Sequence, residues 1–206
     1  SLRRQAQILN FRPDLSISVV RGNVETRMRK MQEGLFDAII LASAGLKRLN
    51  IRARYMQELF CPHFIPAVGQ GALGIELKKD RDDLMKIVSA LSHRETEICV
   101  LAERAFLREL EGGCQVPIAG HAMIKNDMIF MQAMVSDTAG KHILRQEGTC
   151  IIAPENANDL GLMLAQKLIL QGAKDLLETA SLLEGIAFLR HSALLVESLE
   201  WRLHHP

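Results

Sequence analysis

Aromatic residues are scarce: the 206 residues hold one Trp and one Tyr. Single-strand nucleic-acid binders stack bases on such rings, so their absence argues against a nucleic-acid platform. No apolar run reaches the roughly 18 residues needed to cross a bilayer, so no membrane span is read. The start, "SLRRQAQILN", lacks the apolar core of a signal peptide. It also lacks an initiating Met, and the chain reads as a fragment. Cysteines number only four, Cys61, Cys99, Cys114 and Cys150, with no CxxC and no HExxH. Metal-ligand spacing is therefore absent. "CPH" at 61–63 reads as a loop Cys beside a Pro rather than as two ligands. Sparse, separated cysteines suit a reducing cytoplasm.

What is present is a globular composition, 48% hydrophobic against 24% charged, long enough for one large or two small domains. The net charge of +1 hides an asymmetry. Residues 1–54 carry 11 Lys/Arg against 4 Asp/Glu, a balance of +7, whereas residues 55–206 carry 14 against 20, a balance of −6. The front segment is suited to anions.

Periodicity divides the chain. Residues 1–10 read as a helix with Ser1 as its cap, ended at "RPD" because Pro13 disfavours helix in its neighbour. "LSISVV" (15–20) alternates like a strand, "GNVETRMRKMQEG" (22–34) is a helix closed by Gly34, and "DAIILAS" (37–43) has the unbroken apolar character of a strand buried on both faces. "AGLKRLNI" starts another helix. This alternation predicts a parallel sheet with helices on its faces. "FIPAVGQGALGIELKKD" (64–80) has a flexible, Gly-rich entry and then a strand-like "ALGIEL", and reads as a crossover between domains. Two helical patterns follow over 81–92 and 93–111. In the second, Ile98, Leu101, Ala102, Ala105 and Phe106 share a face, and Gly112 and Gly113 stop it. Three β-like runs, 116–125, 128–136 and 141–151, are separated by the turns "KND" and "DTAGK". A helix with Pro154 at its start spans 154–173. The back part is thus a small α+β domain. The apolar tail at 181–206 reads as a packing or oligomerisation helix, because Arg190 and His191 interrupt it.

Two features point to chemistry. Helix N-termini prefer acidic side chains, yet Arg3, Arg4 and Arg27 sit in early helical turns, Arg21 ends a strand, and Lys47 and Arg48 follow another. In an open α/β sheet such junctions lie at the carboxyl ends of strands, where ligands bind. Guanidinium forks there suit a phosphate or multi-carboxylate ligand. No carboxylate stands out as a general acid or base: Asp37 lies at the amino end of its strand, and Asp14 and Glu25 read as solvated. The second feature is Cys114 in "RELEGGCQVPIAG" (108–120), after the only Gly-Gly of the chain. Gly-Gly lets a ligand approach the sulfur closely. No His lies within a turn of it, so a Cys–His nucleophile has little support. On spacing alone a buried, inert thiol, a nucleophile and a covalent anchor all remain open.

The longer wording resembles one family. "SLRRQAQ", "VVRGNVETRMRK", "DAIILASAGLKRL", "PAVGQGALGIE" and "AERAFLRELEGGCQVPIAGHA" occur in this order. They resemble the porphobilinogen deaminases, also called hydroxymethylbilane synthases, over residues 1–180, in a form that looks bacterial. The resemblance implies three α/β domains. It assigns 1–65 to a partial second domain, an incomplete parallel-sheet domain of periplasmic-binding-protein type. It assigns 66–92 to a crossover returning to a first domain, 93–180 to a small α+β cofactor-anchoring domain, and 181–206 to an atypical tail.

It also implies a dipyrromethane cofactor held through a thioether to Cys114, with Arg3, Arg4, Arg27, Gly112 and Gly113 around it. Arg21, Arg27 and Arg48 are implied to bind substrate carboxylates. The implied reaction joins four porphobilinogen molecules into hydroxymethylbilane with release of ammonia, in tetrapyrrole biosynthesis, by a cytoplasmic enzyme that is a monomer when full length. The family's catalytic Asp would precede Ser1, so this chain is expected to be inactive and poorly stable alone. A non-catalytic anion-binding module of periplasmic-binding-protein architecture is the alternative.

Overall fold

A computed structural model describes residues 1–110 and 116–182. The front of the chain forms α1 (Leu2–Phe11), α2 (Val24–Gln32), α3 (Ser43–Arg48) and α4 (Asp82–Ser89). The back forms α5 (Arg94–Glu109), β1 (Ile118–Lys125), β2 (Met128–Ser136), β3 (Ile143–Ile151) and α6 (Pro154–Leu170), with 173–182 helical beyond it.

The back part follows its sequence pattern closely. The three strands make one antiparallel sheet in the order β1-β2-β3. Lys125 pairs with Met128 across a two-residue turn, in which Asn126 and Asp127 both take positive φ, 52° and 57°. That is the turn whose twist matches an antiparallel hairpin, and Asn and Asp tolerate it better than other non-glycine residues. One face of the sheet presents Ile118, Ala122, Ile129, Met131, Ala133 and Val135 to α5 and α6, which contribute Ile98, Ala102, Phe106, Leu160, Leu164 and Leu168. The two helices approach unusually closely where Gly161 of α6 meets α5: a Cβ there would lie 2.1 Å from the Ala102 carbonyl oxygen. His93 caps α5, its Nδ1 accepting from the Thr96 N–H at 3.3 Å, and Pro154 opens α6 where a missing N–H costs nothing.

The other sheet face is partly covered from the front of the chain. Ile65 packs with Ala119 and Met134. α1 lies beside them with Ala6 and Gln7 fully buried. Gln7 completes a two-way bond to the Ile65 backbone: its Nε2 donates to the carbonyl at 2.9 Å, and its Oε1 accepts from the N–H at 2.7 Å.

The expected parallel sheet of the front segment is not formed among the described residues. The runs 15–20, 37–42 and 72–77 carry no ladder. Nor is the first of them buried: Val19 is 72% exposed, and Leu73 in the third is 91% exposed. A parallel strand exists only through hydrogen bonds to neighbours, and among the described residues no ladder joins these runs to one another or to the sheet. The described residues are mixed α and β with one small antiparallel sheet, and the anticipated parallel sheet is not seen among them. α3 is also shorter than expected. It starts at Ser43, directly after the apolar run, so Lys47 and Arg48 fall in its last turn rather than its first. Ser1 does stand at the N-cap of α1, where its carbonyl accepts from the N–H groups of Arg4 and Gln5, but without a side-chain cap hydrogen bond.

Candidate functional site

The front arginines meet around the start of α1. The first turn of this helix holds no acidic residue and carries Arg3 and Arg4 instead. Arg3 Nε donates to the Ile118 carbonyl at 3.0 Å, tying the helix start to the first residue of β1. Arg4 Nη1 donates to the Ile40 carbonyl at 3.0 Å, and its Nη2 to Gln70 Oε1 at 3.4 Å. Burial pushes Arg4 below the usual guanidinium range, and the charges of Arg3 and then Arg27 push the same way. The second of these charges puts Arg27 of α2 within electrostatic reach of Arg4.

Arg27 is held by local geometry. Asn23 caps α2 by accepting from the Thr26 N–H at 2.8 Å, and Gly22, at φ 117°, turns its carbonyl to accept from Arg27 Nε at 2.7 Å. A side chain on Gly22 would meet Thr26 Cγ2 at 2.8 Å, so the turn suits glycine on both counts. Arg21 is exposed beside this turn, its carbonyl accepting from Lys30 Nζ at 3.4 Å. Arg48 is exposed at the carboxyl end of α3, where a cation complements the helix dipole. The structure thus gathers Arg3, Arg4 and Arg27, keeps Arg21 at the rim, and leaves Arg48 among ordinary last-turn cations. Cys114, Gly112 and Gly113 lie outside the described residues, as does the tail from 183 onward.

Among the described residues, no carboxylate pairs with Arg3, Arg4, Arg21, Arg27 or Arg48. Arg12, Arg29, Lys47 and Arg81 do have carboxylate partners, within 3.3 Å. The clustered guanidiniums are held by neutral carbonyls and one side-chain amide. Such partners orient a cation without cancelling its charge, which leaves the cluster competent to bind carboxylates.

A residue that the sequence reading passed over supports this cluster from behind. Glu103 on α5 is buried, and its carboxylate accepts from the Gly69 N–H at 2.5 Å and the Ala122 N–H at 2.8 Å, with His121 Nδ1 at 3.4 Å. It secures the turn that carries Gln70 and hence the Gln70–Arg4 bond. Helical spacing gave no signal for it: at 3.6 residues per turn Glu103 lies roughly 130° round α5 from the centre of the face shared by Ile98, Leu101, Ala102, Ala105 and Phe106. An open cleft of about 350 Å³ borders it, lined by the 69–72 turn, the first turns of α5 and His121. The thiol there is a poor nucleophile. Burial, Glu103 and Glu95 push Cys99 up to about 11. Burial also raises Cys61 and Cys150. These three thiols offer no support for a Cys-dependent hydrolase.

Comparison with known proteins agrees with the wording of the motifs. Residues 1–86 match the family model described as "Porphobilinogen deaminase, dipyromethane cofactor binding domain", and residues 97–170 match "Porphobilinogen deaminase, C-terminal domain". Similar curated proteins include the porphobilinogen deaminase of Nitratidesulfovibrio vulgaris strain DP4. It is 51% identical over 181 residues, covering 86% of this chain and 56% of the relative. The porphobilinogen deaminase of Lawsonia intracellularis is 49% identical, covering 86% of this chain and 57% of its own length. That of Bacillus cereus strain G9842 is 45% identical, covering 88% and 58%. The chain therefore spans little more than half the length of the curated relatives it matches.

Proposed function

The chain belongs to the porphobilinogen deaminase family, and we propose that it is the cofactor- and carboxylate-binding part of a hydroxymethylbilane synthase of tetrapyrrole biosynthesis. The supporting observation is the cluster of Arg3, Arg4 and Arg27, positioned by carbonyls and Gln70 with no described carboxylate neutralising them. Porphobilinogen and its oligomers carry an acetate and a propionate on every ring, so a growing chain is a polyanion. Fork-shaped guanidiniums match carboxylates in pairs.

The donor set fits a dipyrromethane cofactor, whose four carboxylates would be taken by Arg3, Arg4 and Arg27, with Cys114 as its thioether attachment. When bound, that group would supply the nucleophilic pyrrole carbon to which the first porphobilinogen is joined as ammonia leaves, each later unit joining the free α-carbon of the terminal ring. Gly112 and Gly113, having no side chains, would leave room for its rings beside the sulfur. Arg21 and Arg48 would meet the carboxylates of incoming or added rings. The protein's part is to bind and orient: Arg3 fixes the helix start to β1, and Arg4 is aimed by Ile40 and Gln70. Loss of ammonia develops positive charge that a fixed carboxylate would stabilise. The described cluster offers none, since Glu103 is engaged by backbone N–H groups. The 206 residues by themselves are accordingly proposed to bind without turning over. No described helix is long and apolar enough to cross a membrane, and a cytoplasmic location with a monomeric full-length enzyme is part of the same reading.

Intact mass spectrometry with peptide mapping tests the assignment, on protein from cells that make tetrapyrroles. The expected result is an addition of two pyrrole units on the peptide containing Cys114, abolished in Cys114→Ser. An unmodified Cys114 in the active full-length enzyme would remove the anchor assignment.

A further inference from the structure

The helix that carries Arg3 and Arg4 is not held by an apolar stripe. Of its ten residues only Ala6 and Gln7 are buried, and its docking on the small domain is made by side-chain donors reaching backbone carbonyls. Besides Arg3 on Ile118, Gln5 Nε2 donates to the Thr138 carbonyl at 3.2 Å, and Asn10 Nδ2 to the Gly140 carbonyl at 3.0 Å. Both of the latter acceptors belong to the turn between β2 and β3. Asp137 shapes that turn: its carboxylate accepts from the N–H groups of Lys141 and His142, each at 3.0 Å, and lies 2.9 Å from His142 Nδ1. Gly140 is buried in it at φ 70°. A Cβ on Gly140 would stand 2.1 Å from the Ala6 carbonyl oxygen, 2.9 Å from the Ala6 carbonyl carbon and 3.1 Å from the Asn10 nitrogen. The turn abuts the helix backbone itself, so the helix cannot approach more closely or slide without a clash.

We infer that the β2–β3 turn is a clamp that sets where α1, and with it the Arg3 and Arg4 guanidiniums, stands against the small domain, and that Asn10 and Gly140 are positioning residues for carboxylate binding. The inference rests on the reading of the arginine cluster as a carboxylate site. Neither residue touches the cluster. Each acts through the register of one helix, because Arg3 lies two turns from Asn10 on the same rigid rod. Nothing in the proposed roles of the family motifs calls for these contacts. Gln5, Asn10 and the 137–142 turn are simply where the two parts of the chain meet.

A double-mutant cycle separates positioning from mere stabilisation. Asn10→Ala, Gly140→Ala, Arg4→Gln and Asn10→Ala/Arg4→Gln would be made in the 206-residue chain. Each would be titrated calorimetrically with a synthetic dipyrromethane bearing two acetates and two propionates, alongside thermal unfolding. Asn10→Ala removes a single part-buried hydrogen bond, so the protein stays folded at the titration temperature. Its affinity is expected to fall about tenfold, the scale of one misplaced charge-assisted hydrogen bond. In the Arg4→Gln background the same change should cost little more, because the residue it positions is gone. Gly140→Ala should weaken binding at least as much. If Asn10→Ala binds like the parent, or its loss is undiminished in the Arg4→Gln background, the clamp is wrong. If the parent binds and only Arg4→Gln weakens it, the carboxylate site stands and the clamp alone falls. If the parent does not bind the probe at all, the site reading fails and takes the clamp with it.

Discussion

Replacing Gly161 by Ala should be the most damaging small change in the back part of the chain. Inside a helix this substitution ordinarily helps, by about 0.8–1.0 kcal/mol of intrinsic propensity. Here the added Cβ would lie 2.1 Å from the Ala102 oxygen, 2.9 Å from Ala105 Cβ and 2.9 Å from the Phe106 nitrogen. Two of those atoms are backbone, so no side chain can rotate away. Carbon atoms rest at about 3.5–4.0 Å, and relieving the contact requires α5 and α6 to part by about 1 Å, enough to forfeit a quarter to a half of each affected dispersion well. Overpacking of this kind costs about 1–3 kcal/mol and occasionally more. With backbone on the receiving side the upper end applies, about 3 kcal/mol, so the net loss after the propensity gain is about 2 kcal/mol. For a unit of this size that lowers Tm by roughly 8–16 °C. Thermal unfolding followed by far-ultraviolet circular dichroism reads it directly. Gly45→Ala is the control: it sits in α3, with Val24 Cγ2 at 3.9 Å as the nearest neighbour, and should be neutral or slightly stabilising. A Gly161→Ala protein as stable as its parent would refute the close crossing. The consequence extends to function, because α5 leads in sequence into the segment that carries Cys114.

Gln7→Leu keeps the side-chain bulk but strands the Ile65 N–H and carbonyl, both buried. At about 1–3 kcal/mol for each of the two orphaned groups it should cost about 2–6 kcal/mol, seen as a lower urea midpoint with an unchanged slope. Asp137 tests the clamp's turn through pH. Burial acts to raise its pKa, but the bonds from His142, Lys141 and Gly140 outweigh it and hold the carboxyl below its ordinary value. A depressed folded pKa means stability that is present above the unfolded value of about 3.9 and is lost as pH falls through the folded one. Urea midpoints should therefore show the parent losing more stability than Asp137→Asn between about pH 5 and pH 2. A parent-to-variant gap that stays constant across that range would contradict the assignment.

Sequence patterns read well wherever the information is local. The hairpin turns, the strands of the sheet, the buried face of α5 and the Pro154 start of α6 all depend on neighbours within a few residues, and the structure reproduces them. Pattern failed at 15–20, 37–42 and 72–77. An apolar run states a capacity to pair and be buried, while pairing itself depends on a partner that the run does not encode. Arg48 changed ends because α3 stops at Arg48 instead of running on through "LNI" (49–51), a stop that composition alone does not locate.

By itself the sequence determined the order of elements in the back domain, the excess of cations at the front and the family to which the motifs belong. Only the tertiary structure decided which arginines meet. Arg3, Arg4 and Arg27 converge because Ile118, Ile40, Gln70 and Gly22, distant in the chain or hidden in a turn, offer oxygens at the right places. It also decided that Glu103 is a buried brace and that Gly140 is a contact surface. Helix and strand propensities act over a few residues and are written in order along the chain. Close approach and hydrogen-bond partnership act across space, between groups whose sequence neighbours give no sign of them.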